Sequence, residues 1–329
     1  MTGVNRPPRA RGFEPPGPLL VPPIFERPPR PLAMLRYLLT SFLWPYHLLW
    51  IAIAVIAHRY ASPGVDEAER FTAGLVGALY LRNVVLMLVV IGGLHVWLHV
   101  RRAQGTRFKY DRRWLATDRP SFLFGDQTRD NMFWSLGSAA LVAALFEGFM
   151  LWMYANDRFL RIDWSDSWPY VAAMTIALFY IEGAHFYLNH RLLHIDPLYR
   201  IAHALHHKNV NTGPWSGVAM HPVEHVLYFS LPLVFVIVPG SPFLVTLSLV
   251  YLLLSPAPSH SGFDRLVVGA DLTVPVGDNF HNLHHRYFEC NYGVLLLPID
   301  KWMGTFHDGT PEAHARMRDR RRAAARAQG

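Results

Sequence analysis

The sequence predicts an all-α integral membrane protein: about four transmembrane helices plus a helical hairpin, with a helical cap on the cytoplasmic side. Three observations predict it. Of 329 residues, 51% are hydrophobic and only 17% charged, against roughly 25% charged in ordinary globular chains. Apolar runs recur at the length that crosses a bilayer, about 20 residues. Finally, 12 of the 18 histidines lie between His185 and His285, beyond or at the end of the fourth run.

Residues 1–33 hold repeated Pro-Pro pairs and the arginines Arg6, Arg9, Arg11, Arg27 and Arg30. Such a segment buries little and is expected to be a disordered or extended tail. It lacks the layout of a cleavable signal peptide, because the apolar run that follows is too long and has no small-residue cleavage site. Residues 34–165 form an N-terminal transmembrane region, 166–310 a histidine-rich region, and 311–329 a basic tail, helical or frayed, suited to anionic headgroups. Four spans are expected: Leu35 to Ala57, Thr72 to Val100, Phe133 to Ala155 and Trp168 to Tyr187. Arg82 and Asn83 interrupt the second, which moves its expected start to Val84. A fifth apolar block, Val226 to Ser255, is broken by Pro239-Gly240-Ser241-Pro242 and reads as the hairpin.

Charge sets the orientation. The loop from Arg101 to Asn131 carries eight basic residues against four acids, while the loops at Asp66-Glu67-Glu69 and Asp157-Asp163-Asp166 are slightly acidic. The positive-inside rule places the basic loop and the basic N-terminal tail in the cytoplasm. The fourth span then ends there at His190, and the hairpin returns the chain there before His260. Every histidine cluster lands on one side, although the orientation used no histidine. The net charge of +7 does not mark a nucleic-acid surface, because the basic residues form no stripe interleaved with aromatics.

Cys290 is the only cysteine, so neither an intrachain disulfide nor a CxxC metal site is possible. Metal ligation falls to nitrogen and oxygen. Four groups stand out: His190-Arg-Leu-Leu-His194, His203-Ala-Leu-His206-His207, His260-Ser-Gly-Phe-Asp264 and His281-Asn-Leu-His284-His285. Residues three and four apart share a helix face, so each HxxHH group is expected to present three imidazoles to one point. Imidazole suits iron, copper, zinc and nickel. Nine histidines are too many for one ion and about right for a dinuclear site. His47, His58, His95 and His99 read as interfacial or packed side chains.

The arrangement resembles the fatty acid hydroxylase superfamily, which includes sterol desaturases, sterol methyl oxidases and cholesterol side-chain hydroxylases. HRLLHIDPLYRIAHALHHK is similar to its paired boxes, MHPVEH at 220–225 to its HPxE element, and HSGFD at 260–264 to the HSGYD of methyl oxidases and side-chain hydroxylases. HNLHHRYFECNYG, followed by Asp300-Lys-Trp-Met-Gly-Thr305, resembles the terminal box and closing element. The resemblance covers residues 175–306, two fifths of the chain, and identifies 166–310 as the catalytic domain.

The resemblance implies a diiron centre that activates O2, with electrons from a separate reductase or carrier, to hydroxylate or desaturate a lipid. Carried over by position, the metal ligands are His190, His194, His203, His206, His207, His260, His281, His284 and His285, with His221 as a further one. Zinc is able to occupy the same site in purified protein. Asp264 stands where fatty acid hydroxylases proper have a histidine, and Asp264 and Glu224 are the expected catalytic carboxylates. Glu182, Glu224, Asp264 and Asp278 are candidate acceptors for the imidazoles. The implied partners are a lipid (sterol, fatty acyl or aminolipid), an electron donor and the membrane. HSGFD favours a sterol-type relative and hydroxylation, whereas the Ala/Arg-rich composition suggests a bacterial inner membrane, where an ornithine-lipid head-group hydroxylase is the alternative. Two other classes compete. His221-Pro-Val-Glu-His225 matches the HxxEH pattern of a zinc hydrolase. A metal transporter would place its ligands near the bilayer midplane, not at span ends.

Overall fold

The computed structural model describes residues 12–270 and 272–327, so part of the expected tail (1–11) and the last two residues lie outside the description. Five helices are long and apolar enough to cross a membrane: Pro31–Ala61, Ala73–Val100, Gln127–Ala155, Trp164–Leu193 and Pro242–Ser259. The chain is a multi-pass, mostly helical membrane protein. Among the described residues the only sheet is a hairpin pairing Arg265–Val267 with Thr273–Pro275.

Local signals explain where the spans begin. Thr72 Oγ1 accepts the Leu75 N–H at 3.1 Å, and Ser241 Oγ accepts that of Leu244 at 3.2 Å, each removing one orphan donor from a helix start. Pro242 follows in the first turn, where its missing N–H costs nothing. The first span contains Pro45, and Trp44 before it is extended (φ −97°, ψ 137°). Proline cannot donate to the preceding turn and excludes the helical conformation from the residue before it. The apolar run is therefore two helical pieces meeting at an angle.

Two expectations about the spans are corrected. The second does not begin near Val84 but runs from Ala73, with Arg82 and Asn83 buried inside it. Arg82 pairs with Glu147 of the third span, and Asn83 Nδ2 donates to the Ala140 carbonyl at 3.2 Å. Polar residues that find partners on a neighbouring helix do not interrupt a span. The hairpin is also unequal. Its returning arm is the fifth span, but its outgoing arm is a short helix, Pro222–Tyr228, and a tighter turn, Leu231–Val236, started by Pro232. The arm still reaches the far end of the bundle, where the Ile162 N–H donates to the Gly240 carbonyl at 2.8 Å.

The histidine boxes gather at the opposite end, and three other segments build the cap around them. The basic loop folds in: the Tyr110 N–H donates to the Gly262 carbonyl and the Asp264 N–H to the Phe108 carbonyl, both at 2.9 Å. The described part of the tail is irregular apart from a single tight turn at Pro23–Phe25 and the start of the first helix at Pro31, and it is held in place. The Phe13 N–H donates to Lys109 O and the Leu19 N–H to Asp308 O, both at 2.7 Å, and Leu19 packs on Leu283, Tyr287, Cys290 and Met317. The C-terminal helix, Pro311–Ala327, contributes Met317 to that cluster, and Tyr287 Oη lies 2.7 Å from His314 Nδ1.

Candidate metal centre

Nine histidines meet in two groups. His190, His194, His203, His207 and His284 form the first; His206, His260, His281 and His285 form the second. In each group the candidate ligand atoms lie within 4.8 Å of one another. These are the nine ligands the resemblance implies, but their division differs from the expected three imidazoles per point. The box at 203–207 gives His203 and His207 to one group and His206 to the other. The box at 281–285 gives His281 and His285 to one and His284 to the other. On a helix, residues four apart are about 40° apart around the axis, while the adjacent pair is about 100° apart. One HxxHH turn therefore straddles two centres.

The orientation of the rings leaves ligand atoms facing inward. His190 Nδ1 donates to the Tyr292 carbonyl at 2.6 Å, His284 Nδ1 to that of Cys290 at 2.8 Å, and His260 Nδ1 to that of Pro256 at 2.9 Å. A neutral imidazole that donates through Nδ1 carries a bare lone pair on Nε2. These Nε2 atoms point inward: His190 to His203 at 3.0 Å, His284 to His207 at 3.1 Å, and His260 to His281 and His285 at 3.0 and 3.2 Å. In the His190–His203 pair both Nδ1 atoms are engaged, His203 with Glu224, so two lone pairs face each other and repel unless a cation lies between them. Donors about 2.1 Å from an ion, at angles between square and tetrahedral, stand about 3.0–3.4 Å apart, which is the spacing found. The set fits a pair of nitrogen-ligated cations. Burial keeps the rings neutral, the ligating form: desolvation lowers His260 to about 4 and His284 to about 3, and His203, His206, His207, His281 and His285 well below their ordinary value.

The carboxylates separate sharply. Glu224 is buried with Oε1 2.7 Å from His203 Nδ1, behind the ring. Asp264 joins neither group. Its Oδ1 accepts from Tyr110 Oη at 2.9 Å, and Arg265 lies 3.4 Å from Oδ2, so it ties the basic loop to the strand hairpin. Asp278 caps its helix, accepting the Phe280 N–H at 2.9 Å. His221 also stands outside both groups, as the N-cap that accepts the Val223 N–H at 3.2 Å. His225 has both ring nitrogens engaged, by Ser138 Oγ at 2.8 Å and the Val218 carbonyl at 3.0 Å. With Glu224 turned to His203, the HxxEH segment does not assemble a zinc site.

Most ring-orienting acceptors are backbone carbonyls, for which the sequence carries no signal. The closing motif reveals its purpose here. Asp300 accepts the Tyr292 N–H at 2.9 Å and the Gly293 N–H at 2.8 Å, holding the loop whose carbonyls aim His190 and His284. Gly183 lets that loop approach the fourth span, because a Cβ there would stand 3.0 Å from Val294. A cavity of about 290 Å³ reaches from both groups into the bundle, past Phe186, Met220 and Glu182 to Trp50 and His47. His47 also lines a groove of about 1490 Å³ beneath the N-terminal strap.

A family model described as fatty acid hydroxylase matches residues 175–305. A Delta(7)-sterol 5(6)-desaturase of Gibberella zeae is 27% identical over 232 residues, covering 69% of this chain and 70% of that protein. A Delta(7)-sterol-C5(6)-desaturase of Nicotiana tabacum is 27% identical over 169 residues, 50% of this chain and 60% of that protein. A methylsterol monooxygenase of Arabidopsis thaliana is 30% identical over 145 residues, 42% of this chain and 54% of that protein. No solved structure matches. These relatives are eukaryotic and lend no support to a bacterial inner membrane.

Proposed function

Given that the chain belongs to the fatty acid hydroxylase/sterol desaturase superfamily, we propose that it is a membrane-bound non-haem diiron oxygenase that hydroxylates or desaturates a lipid, using O2 and electrons from a separate protein. The observation that carries this reading is the meeting of nine imidazoles, eight of them buried, as five and four. His190, His194, His203, His207 and His284 would hold one ion, and His206, His260, His281 and His285 the other. When bound, the iron pair supplies the binding and reduction of oxygen that attack on an unactivated C–H bond needs. Zinc fits the same donors.

The chain's own part is geometry and exclusion. The carbonyls of Tyr292, Cys290 and Pro256 keep three rings from turning, and Glu224 does so for His203, the arrangement by which an acceptor behind a ring raises its basicity as a ligand. Phe186, Met220 and Trp50 line the cavity with apolar surface, keeping water from the reacting carbon. The first substrate to test is a sterol, since the relatives are named for sterols, followed by fatty acyl and aminolipid substrates. The groove shared at His47 is the proposed way in from the lipid phase. The histidine end, contacted by the basic loop, is proposed to face the cytoplasm.

Iron-loaded protein should take up oxygen only with both a reductant and the lipid present. Under labelled O2 a hydroxylated product carries the label, whereas a new double bond without label marks desaturation; turnover without oxygen defeats the proposal. Cysteines placed at Asp66 and Asp163 should react with an impermeant reagent from outside the cell and one at Arg112 should not. The reverse pattern would turn the site outward.

A further inference from the structure

Glu182 is the one carboxyl in the cavity wall that neither meets a histidine nor caps a helix. It is 5% exposed, sits within the fourth span, and makes no hydrogen bond among the described residues. No lysine or arginine lines the cavity to balance it, and the nearby Tyr228 hydroxyl is already spent on the Leu252 carbonyl at 3.0 Å. A buried polar group left without a partner costs about 1–3 kcal/mol, and ionisable side chains inside membrane spans are rare unless functional. Here the fold leaves one open on the space where the lipid would lie.

Its position is as informative as its isolation. Glu182, Phe186 and His190 follow at four-residue steps along one helix face, with the Phe186 ring 5.0 Å from the His190 ring. Eight residues of helix put the Glu182 backbone about 12 Å from that of His190. The same cavity offers apolar surface from Phe186, Trp50, Met220 and Val294, beside the hydroxyl-bearing Tyr46, Tyr251 and Ser255. Resting on the reading of this cavity as the substrate site, we propose that Glu182 is a specificity residue that hydrogen-bonds the hydroxyl group of a lipid, with the hydrocarbon lying along the apolar wall and a carbon roughly 10 Å away presented to the histidine groups. A carboxyl group with its proton both donates and accepts, as a hydroxyl does. Anionic headgroups are disfavoured beside it, since no lysine or arginine lines the cavity to offset the cost of taking their charge out of water.

Binding tests this without turnover, so its outcome does not depend on the oxygenase reading, and absence of oxygen uptake leaves it untouched. Tritiated cholesterol and octadecanol are each compared with their methyl ethers on purified protein in nanodiscs. At least one alcohol is expected to bind roughly tenfold tighter than its ether, as one buried hydrogen bond predicts. That preference should fall within about twofold in Glu182→Leu and survive in Glu182→Gln, which keeps a donor and an acceptor. Metal content equal to wild type shows that each variant is folded. Equal binding of both alcohol–ether pairs to wild type overturns the proposal, as does a preference that persists in Glu182→Leu. Loss in Glu182→Gln equal to that in Glu182→Leu also overturns it, because a charge would then be the recognised feature.

Discussion

Two polar clusters are buried in this bundle, and they are satisfied in opposite ways. Inside the second and third spans Arg82 meets both carboxylate oxygens of Glu147, and also donates to Ser62 Oγ at 2.7 Å and Asn83 Oδ1 at 2.8 Å. Glu147 in turn accepts from Thr246 Oγ1 of the fifth span at 2.8 Å. Charge is matched and the bonds close within the protein. At the histidine end the outer nitrogens of His190, His203, His260 and His284 are tied down, those of His207 and His285 are not, and inner nitrogens face one another. The first cluster is complete as folded, whereas the second leaves donor atoms open that, on the proposed reading, cations would complete. A buried polar group thus declares its purpose by which of its atoms the fold leaves open: closed networks join helices, and open ones await a ligand.

The sharpest way to break this contrast is to take one donor from each histidine group. His284→Ala/His285→Ala should drop bound metal from about two ions per chain to well under one and abolish oxidation, while the protein still inserts in membranes. Elemental analysis of the purified variant decides, and two retained ions would erase the distinction.

Next in size is the closed cluster. Glu147→Leu leaves Arg82 buried without its counter-charge and should cost about 3–5 kcal/mol of stability. Arg82→Met/Glu147→Leu removes both charges and should recover most of that, with metal content unchanged. Thermal unfolding in detergent measures both. A double variant as unstable as the single one would show that the network does more than join helices. The histidine groups permit no such paired apolar replacement.

Glu224→Gln keeps the shape behind His203 but removes the carboxylate. Metal affinity should fall about 10–100-fold, read by competition with a chelator, with the fold intact. Unchanged affinity would make Glu224 a bystander to the first group.

The smallest effect concerns pH. His260 and His284 titrate near 4 and 3 in the folded chain, below about 6.5 for an unfolded histidine. On acidification the unfolded chain binds protons first. Metal-stripped protein should therefore keep its full stability above pH about 6.5 and lose it progressively as pH falls toward 4. Melting temperatures across that window test the sign, and a rise on acidification would contradict it.

Much of this was legible in the sequence, and the misreadings share a cause. The nine ring-bearing positions are visible because spacings of three and four residues are local. The spans are visible because their apolar length is local too. The same local reading misjudged Arg82, whose partner Glu147 lies 65 residues further on, while the resemblance carried Asp264 and His221 to the site by motif position. In the fold each has a different partner, Tyr110 and the Val223 N–H respectively.

By itself, then, the sequence determined a helical membrane chain with nine imidazoles delivered to one end of the bundle, because helix periodicity and bilayer thickness act along the chain. Only the tertiary structure decided that those nine divide as five and four, that Glu224 and three carbonyls aim the rings, and that Glu182 stands open in the cavity. Those outcomes depend on which faces of distant helices meet. Adjacent residues on a helix point about 100° apart, so a single box serves two centres only once packing has placed one on either side of it.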